Sequence, residues 1–164
     1  MSIRFGILTL SDRSAAGERD DLSGETLRKL IESKGWIIAE QAILPDDKDL
    51  IISLLKEWVD HKILDILLTT GGTGISSRDV TPEATLAVLD RQVPGIAEAM
   101  RIAGQAKTPH AMLSRAVAGI RGRTLIINLP GSPKGAKESF EVLLPVLRHA
   151  QQLLNDNPAS EASH

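Results

Sequence analysis

Three glycines in four positions follow an apolar run at residues 64–69. The segment contains, in order, Thr70, Gly71, Gly72, Thr73 and Gly74. Glycine lets a backbone turn tightly and point successive N–H groups into one hollow, and such a hollow binds anions, phosphate above all. The same glycines also suit a tight strand-to-helix turn that binds nothing, and their number favours neither interpretation.

A second glycine-containing loop precedes the last helical pattern of the chain. It contains Pro130, Gly131, Ser132, Pro133 and Lys134. Gly131 allows close backbone approach, Ser132 offers a hydroxyl at a helix start, and Lys134 can reach a phosphate as a point charge. The alternative is a Pro-Gly turn in which Ser132 caps the helix, and taken alone that is the stronger interpretation.

A third loop, Ser11–Asp21, is longer than the usual two to six residues for such connections and is rich in polar side chains. Asp12 and Arg13 stand where a ligand at a strand end would lie. Long loops at this edge of a sheet are often functional, and an ordinary solvated loop explains the composition equally well.

Two aspartates accompany these loops. Asp46 follows Pro45, and Asp79 precedes the helix start at Thr81-Pro82-Glu83. Each suits a helix start or a surface charge. Alternatively, the pair points into one crevice and holds Mg²⁺, which takes one or two carboxylates together with substrate phosphates. Spacing does not separate these interpretations.

Several other chemistries lack their residues. The chain has no cysteine, so disulfides, thiolate metal sites and a cysteine nucleophile are excluded. Gly-x-Gly-x-x-Gly, Gly-x-Ser-x-Gly and His-Glu-x-x-His do not occur, and residues 131–138 fail the Walker A pattern. The four histidines show no metal-ligand spacing; only His110, near the end of a helical pattern, merits attention.

Charge and hydropathy narrow the partners. Nineteen basic and 21 acidic residues give a net charge of −2, so no positive field indicates nucleic acid or an anionic membrane. The first apolar run is too short for a signal peptide, and none approaches a membrane span. We expect a cytoplasmic protein with neither a nucleic-acid nor a membrane partner.

The elements that position these loops follow from apolar patterning. Strands are predicted at Ile3–Leu10, Trp36–Leu44, Leu64–Thr69 and Thr124–Leu129, the last paired as a hairpin with Arg115–Ile120. Helices are predicted after Ser23, Asp46-Asp47, Thr81 and Pro94 and from about Gly135. This order predicts a three-layer α/β/α fold with a mainly parallel sheet covered on both faces and an antiparallel strand added by the β-hairpin.

The parallel sheet also predicts where a ligand binds. In such sheets the crevice beyond the carboxyl ends of the strands receives the ligand. Residues 1–154 are expected to form one domain, and residues 155–164 are expected to be a disordered tail.

The motifs together resemble the molybdenum-cofactor biosynthesis family, in particular the molybdopterin adenylyltransferases and the G domains of their plant and animal fusion proteins. The resemblance rests on the glycine loop followed by Arg78-Asp79-Val80-Thr81-Pro82, and continues through Ser11-Asp12, Leu44-Pro45-Asp46, Met112–Arg115 and Asn128–Pro133. It spans nearly the whole chain before residue 155.

This resemblance implies a homotrimer with the molybdopterin-binding fold that binds molybdopterin and MgATP. It implies transfer of AMP to the terminal phosphate of molybdopterin, release of pyrophosphate, and hand-over of the product to the molybdenum insertase. The implied catalytic and metal-binding residues are Asp46 and Asp79. The implied substrate contacts are Asp12, Thr70–Gly74, Ser114 and the loop of Pro130, Gly131, Ser132 and Pro133.

A phosphate nucleophile simplifies the implied mechanism. A phosphate monoester, with a second pKa near 6, is largely a dianion at neutral pH and needs no general base. Catalysis then consists of positioning and charge neutralisation. Candidate cations, in no assigned order, are Arg13, Arg78, Arg115 and Lys134.

Two other functions compete with this one. A molybdopterin-binding or carrier protein of the same fold without transfer activity differs only in its use of ATP. A nicotinamide-dependent oxidoreductase requires the glycine fingerprint that this chain lacks.

Overall fold

The computed structural model describes residues 1–155. Its strands are β1 (Arg4–Leu10), β2 (Ile37–Leu44), β3 (Ile66–Thr70), β4 (Arg91–Gln92), β5 (Ala118–Arg121) and β6 (Thr124–Leu129). Its α-helices are α1 (Asp12–Ala15), α2 (Leu22–Ser33), α3 (Lys48–His61), α4 (Thr81–Val88), α5 (Pro94–Gln105) and α6 (Pro133–Leu154), with a 3₁₀ helix at Pro109–Leu113. Apart from Asn155, the predicted tail lies outside the described residues.

The six strands form one mixed sheet in the order β2-β1-β3-β6-β5-β4. The first four are parallel, and β5 and β4 are antiparallel to their neighbours. The predicted parallel sheet and hairpin are therefore confirmed. The hairpin strand β5 starts at Ala118 rather than at Arg115, because Arg115 bonds to the glycine loop instead of to β6.

Burial differs between the centre and the edge of the sheet. Strands β3 and β6 are buried throughout and β1 almost throughout, as their continuous apolar sequences predict. Strand β2 has a mixture of exposed and half-buried residues. Because β2 is the edge strand, its side chains are only partly covered, with Ile38 packed on one face and Ala42 on the other.

The starts of α2 and α4 differ from prediction. Helix α2 is capped by Asp21, whose carboxylate accepts from the Gly24 N–H at 2.8 Å, rather than by Ser23. Helix α4 has no side-chain cap, because the Thr81 hydroxyl donates to the Gly71 carbonyl instead.

The connections of the sheet create a crevice. Helices α2 and α6 pack on one face, where Phe5, Trp36 and Phe140 cluster with ring centroids 5.4–6.4 Å apart. Helices α3 and α4 pack on the other face. The chain therefore leaves β1 and β3 toward opposite faces, and this is the topological switch point at which open α/β sheets bind ligands. Within residues 1–155, no helix has the length and apolar character needed to cross a membrane.

Candidate functional site

Loops from four parallel strands meet at the carboxyl edge of the sheet and enclose two adjoining cavities. We call the first, of about 510 Å³, the acidic cleft. Its acidic lining residues are Asp20, Asp21, Asp46 and Asp79. Thr70, Gly71, Gly72, Gly131, Ser132 and Pro133 also line it.

The second cavity, of about 310 Å³, lies between α5, the 3₁₀ helix and the start of α6, and we call it the helical cavity. Its volume is that of a small-molecule site, and its lining is mainly apolar. Characteristic members of the lining are Met100, Arg101, His110, Ser114, Glu138 and Val142.

The boundary between the cavities runs along the two predicted glycine-containing loops. Gly71 and Gly72 line the acidic cleft, whereas Thr73 and Gly74 line the helical cavity. The loop after β6 divides in the same way, and Ser132 lines both cavities. The predicted site residues therefore divide between two compartments, except for Asp12, which lines neither cavity.

Close backbone packing explains the glycines. Gly71 and Gly72 have φ values of 103° and 68°, a region that side chains rarely adopt. A Cβ at Gly72 would lie 2.2 Å from the Thr81 Oγ1, and one at Gly131 would lie 3.2 Å from the Gly71 Cα. The Thr81 N–H donates to the Gly72 carbonyl, which ties the turn to the start of α4.

The N–H groups of Gly72, Thr73 and Gly74 have no acceptor within residues 1–155. Loop N–H groups without a protein partner, at the edge of two cavities, are available to an anion. The geometry thus agrees with the anion-binding interpretation of the glycine loop.

Asp12 and Asp46 hold each other through the backbone. The Asp46 N–H donates to Asp12 Oδ1 at 2.9 Å, and the Asp12 N–H donates to Asp46 Oδ2 at 3.3 Å. The carboxylate of Asp12 also accepts two hydrogen bonds from Arg78, at 2.9 and 3.0 Å. The hydrogen bond from Asp46 and those from Arg78 lower the pKa of Asp12.

Asp46 has the opposite electrostatic character. Its Oδ1 is buried and has no hydrogen-bond partner within the described chain. Burial raises the pKa of Asp46, and the negative charges of Asp12 and Asp79 also raise it. A Cβ at Gly72 would lie 3.1 Å from this oxygen, so the unpartnered carboxylate lies against the glycine loop. Asp46 does not cap α3, since Asp47 does.

Asp79 lies against the other end of the same loop. Its Oδ2 accepts from the Ser76 N–H at 2.9 Å, and a Cβ at Gly74 would lie 2.9 Å from that oxygen. Two carboxylates thus flank the glycine loop, and the small size of Gly72 and Gly74 permits both approaches.

These residues fit a magnesium ion that shares its coordination with a phosphate ligand. Across residues 1–155, no group of three or more His, Cys, Asp or Glu side chains is placed to hold a metal alone. Mg²⁺ usually takes only one or two carboxylates and completes its shell with phosphate oxygens and water. The unpartnered Asp46 oxygen and the neighbouring Asp79 are such a pair.

The candidate cations differ in availability. Arg78 is paired with Asp12, and Arg115 is bound to Gly74, Asp79 and Glu83. The Lys134 side chain is 84% exposed and lies 4.0 Å from Glu138. Arg13 forms no ion pair with any described residue, and neither Arg13 nor Lys134 is held in place.

Ser132 and Ser114 both line the helical cavity. The Ser132 Oγ accepts from the Gly135 N–H at 3.0 Å, so it caps α6, which begins at Pro133 rather than near Gly135. Ser114 ends the 3₁₀ helix and lines the helical cavity.

Two parts of the site had no predicted role. Arg19, in the third loop, lines the acidic cleft and donates to the Ser11 Oγ at 3.2 Å. The wall formed by α5 and α6, including Met100 and Glu138, was also missed. Its residues look like ordinary amphipathic helix positions, and no local motif marks them.

Comparison with known proteins gives a consistent family match. Residues 6–149 match the family model described as a probable molybdopterin binding domain. A molybdopterin adenylyltransferase of Helicobacter pylori is 39% identical over 158 residues, covering 95% of this chain and 90% of that protein.

A longer relative and a solved structure agree with this match. The molybdenum cofactor synthesis protein cinnamon of Drosophila melanogaster is 43% identical over 157 residues; the match covers 95% of this chain but only 26% of cinnamon. The crystal structure of the molybdopterin biosynthesis enzyme MoaB of Thermus thermophilus has a TM-score of 0.89 and 52% identity, with 95% of this chain and 98% of that chain covered.

Proposed function

The chain belongs to the molybdopterin-binding domain family, and on this premise we propose that it is a molybdopterin adenylyltransferase. The reaction transfers AMP from MgATP to the terminal phosphate of molybdopterin. The observation that carries the proposal is the buried, unpartnered Asp46 carboxylate oxygen beside the glycine loop.

The two cavities suit the two substrates. The helical cavity is mainly apolar and suits the flat pterin ring, with Ser114 at its wall. The acidic cleft suits the nucleotide phosphates only together with a cation, because four aspartates line it and would repel a polyanion. The loops of Thr70–Gly74 and Pro130–Pro133 then receive phosphate at the boundary between the two substrates.

The chain's residues supply position and charge. An oxygen of the molybdopterin phosphate attacks the α-phosphorus of ATP, and the bond from that phosphorus to the oxygen bridging toward the β-phosphorus breaks, so pyrophosphate leaves with that oxygen. The attacking phosphate is already ionised near neutral pH, so no side chain has to remove a proton. Asp46 and Asp79 would hold Mg²⁺, which when bound neutralises charge on the phosphate oxygens. Amides of Gly72–Gly74 orient phosphate.

The finer features follow from the family and are part of this proposal. They are a homotrimer, a cytoplasmic location, a substrate contact of Asp12, and hand-over of the adenylated product to a molybdenum insertase. Sedimentation equilibrium tests the trimer: a monomer at micromolar concentration contradicts it.

The decisive experiment incubates the protein with molybdopterin, Mg²⁺ and ATP labelled at the α-phosphate. We expect label in the pterin product and an equal amount of pyrophosphate. A protein that binds molybdopterin but releases no pyrophosphate is the carrier protein instead.

Asp79→Asn tests the metal-binding role. We expect AMP transfer to fall by roughly 10³-fold, within the range lost when one electrostatic group of an active site is removed, while molybdopterin binding is retained. Asp47→Asn is the matched control. Asp47 caps α3 and lies outside the lining of both cavities, and asparagine caps a helix as well as aspartate does. Normal turnover by Asp79→Asn contradicts the assignment.

A further inference from the structure

Arg115 links the glycine loop to Asp79, the two ends of the segment 73–79. Its Nε donates to the Gly74 carbonyl at 2.7 Å, and its Nη2 donates to the Asp79 carbonyl at 2.7 Å. The Arg115 N–H donates to the Thr73 carbonyl at 2.8 Å. One residue therefore binds the glycine loop and the segment that carries the Asp79 carboxylate.

Glu83 holds the guanidinium in this position. Its Oε1 pairs with the Arg115 Nη1, and this hydrogen bond lowers the pKa of Glu83, so the pair is ionised near neutral pH. Because Glu83 lies in the first turn of α4, the pair also fixes Arg115 to the helix that follows Asp79.

These hydrogen bonds set the direction of the loop amides. In a trans peptide the C=O and N–H point in opposite directions. The backbone N–H of Arg115 binds the Thr73 carbonyl, so the Gly74 N–H of the same peptide is turned away from Arg115 whatever the side chain, and the guanidinium fixes the next carbonyl, that of Gly74. The Gly74 N–H is one of the loop amides without an acceptor in the described chain.

We propose that Arg115 is a positioning residue which fixes the spacing between the loop amides and the Asp79 carboxylate, rather than a cation that binds substrate phosphate. The inference rests on the proposed function and names the element that makes the loop and the carboxylate one unit. The planar guanidinium is essential, because a lysine ammonium cannot hold two carbonyls and a carboxylate in one fork.

Arg121 provides a matched control. It likewise binds a carboxylate and a main-chain carbonyl, with two contacts to Asp60 at 2.7 and 2.9 Å and one to the Val88 carbonyl at 3.0 Å, whereas Arg115 has one contact to Glu83. In the β5–β6 hairpin Arg121 lies opposite Thr124, the first residue of β6. It is therefore at the amino ends of the parallel strands, whereas the site is at their carboxyl ends. Arg121→Lys and Arg115→Lys thus remove the same kind of interaction at two places.

The experiment measures binding of α,β-methylene-ATP by calorimetry at several Mg²⁺ concentrations, together with hydrogen–deuterium exchange of residues 71–79. For Arg115→Lys we expect roughly 10-fold weaker nucleotide binding, the effect of misplacing one hydrogen bond from a loop amide to a charged phosphate. We also expect a higher half-saturating Mg²⁺ concentration and faster exchange in residues 71–79. Arg121→Lys should match the wild type in all three measurements.

Glu83→Gln is the second variant, and it should show the same changes to a smaller degree. Equal nucleotide affinity and Mg²⁺ dependence in Arg115→Lys and Arg121→Lys overturn the inference, even if both variants lose thermal stability. Failure of the wild-type protein to bind the nucleotide instead overturns the proposed function itself.

Discussion

The acidic cleft and the helical cavity adjoin at the same loops, yet they are built differently. The cleft is made of loops that follow β1, β2, β3 and β6, so its polar groups lie at fixed points of a rigid sheet. The helical cavity is walled by the sides of α5 and α6, which approach each other only through tertiary packing. Under the proposed function, backbone geometry positions the phosphates in the acidic cleft, whereas side-chain shape selects the pterin in the helical cavity.

The largest expected effect on ligand binding comes from a change in the acidic cleft. Gly72→Ala places a Cβ 2.2 Å from the Thr81 Oγ1 at a φ of 68°, so the loop must move. We expect roughly 100-fold weaker binding of α,β-methylene-ATP and a loss of about 2 kcal/mol in the free energy of unfolding, measured by calorimetry and urea titration.

Gly17→Ala separates backbone strain from the clash. Gly17 has a φ of 74°, but its added Cβ would meet nothing within 4 Å. This variant should bind nucleotide like the wild type, with a smaller loss of stability. If Gly72→Ala and Gly17→Ala behave alike, contact with Thr81 does not shape the loop.

The second effect breaks the helical cavity alone. Ala103 lines this cavity on α5, and phenylalanine there fills part of its volume of about 310 Å³. We expect Ala103→Phe to weaken molybdopterin binding by at least roughly 10-fold, since overpacking a formed site costs about 1–3 kcal/mol. Binding of α,β-methylene-ATP should be unchanged, as measured by fluorescence or calorimetric titration.

Ala99→Phe on the same helix is the control, because Ala99 is exposed and lies outside the cavity lining. A parallel loss of both ligands in Ala103→Phe, but not in Ala99→Phe, would mean that the two cavities bind one ligand jointly.

The same difference explains what could be predicted from sequence. The glycine loop was placed at the crevice because loops at the ends of parallel strands must meet at one edge. The spacing of Asp46 and Asp79 left their direction open, and the family resemblance alone assigned them. The direction of Arg115 could not be predicted, since a lone arginine after a serine gives no sign that it binds three separate segments. Met100 and Glu138 were missed because cavity-lining and core positions have the same period on a helix.

Local helix signals were also only partly predictive. Asp21 and Asp47, rather than Ser23 and Asp46, cap α2 and α3, because neighbouring polar residues are equally able caps and tertiary contacts choose between them. For Asp46 that choice matters, since the residue that does not cap a helix is free to face the cleft.

Ser132 tests the boundary between the cavities with a smaller effect. Removing its cap with Ser132→Ala should lower the free energy of unfolding by about 1 kcal/mol. Ser132→Asp restores the cap and adds a negative charge next to both cavities. Its stability should equal that of the wild type, while its nucleotide binding should be weaker than that of the wild type. Recovery of both stability and binding in the aspartate variant would show that Ser132 acts only as a cap.

The smallest effect concerns the charges of the cleft and has opposite signs for its two linked aspartates. The folded pKa of Asp46 is raised, so its contribution to stability is greatest below the unfolded pKa and is lost as the pH rises through the folded pKa. Asp46→Asn should therefore raise the melting temperature of metal-free protein near pH 7 by roughly 1–2 °C, and the gain should vanish below about pH 4.

The folded pKa of Asp12 is lowered, so its stabilisation is present above the unfolded pKa and is lost as the pH falls through the folded one. Asp12→Asn should then lower the melting temperature near pH 7.

A bound cation should reverse the order of the melting temperatures of the wild type and Asp46→Asn. Added Mg²⁺ with nucleotide should stabilise the wild type more than Asp46→Asn, since the variant lacks one carboxylate ligand. Scanning calorimetry of the wild type and both aspartate variants at two pH values, with and without these ligands, decides the signs. If Asp46→Asn is less stable than the wild type near pH 7 without ligands, the unpartnered oxygen stabilises the protein without a cation. That result would contradict a metal-binding role for Asp46.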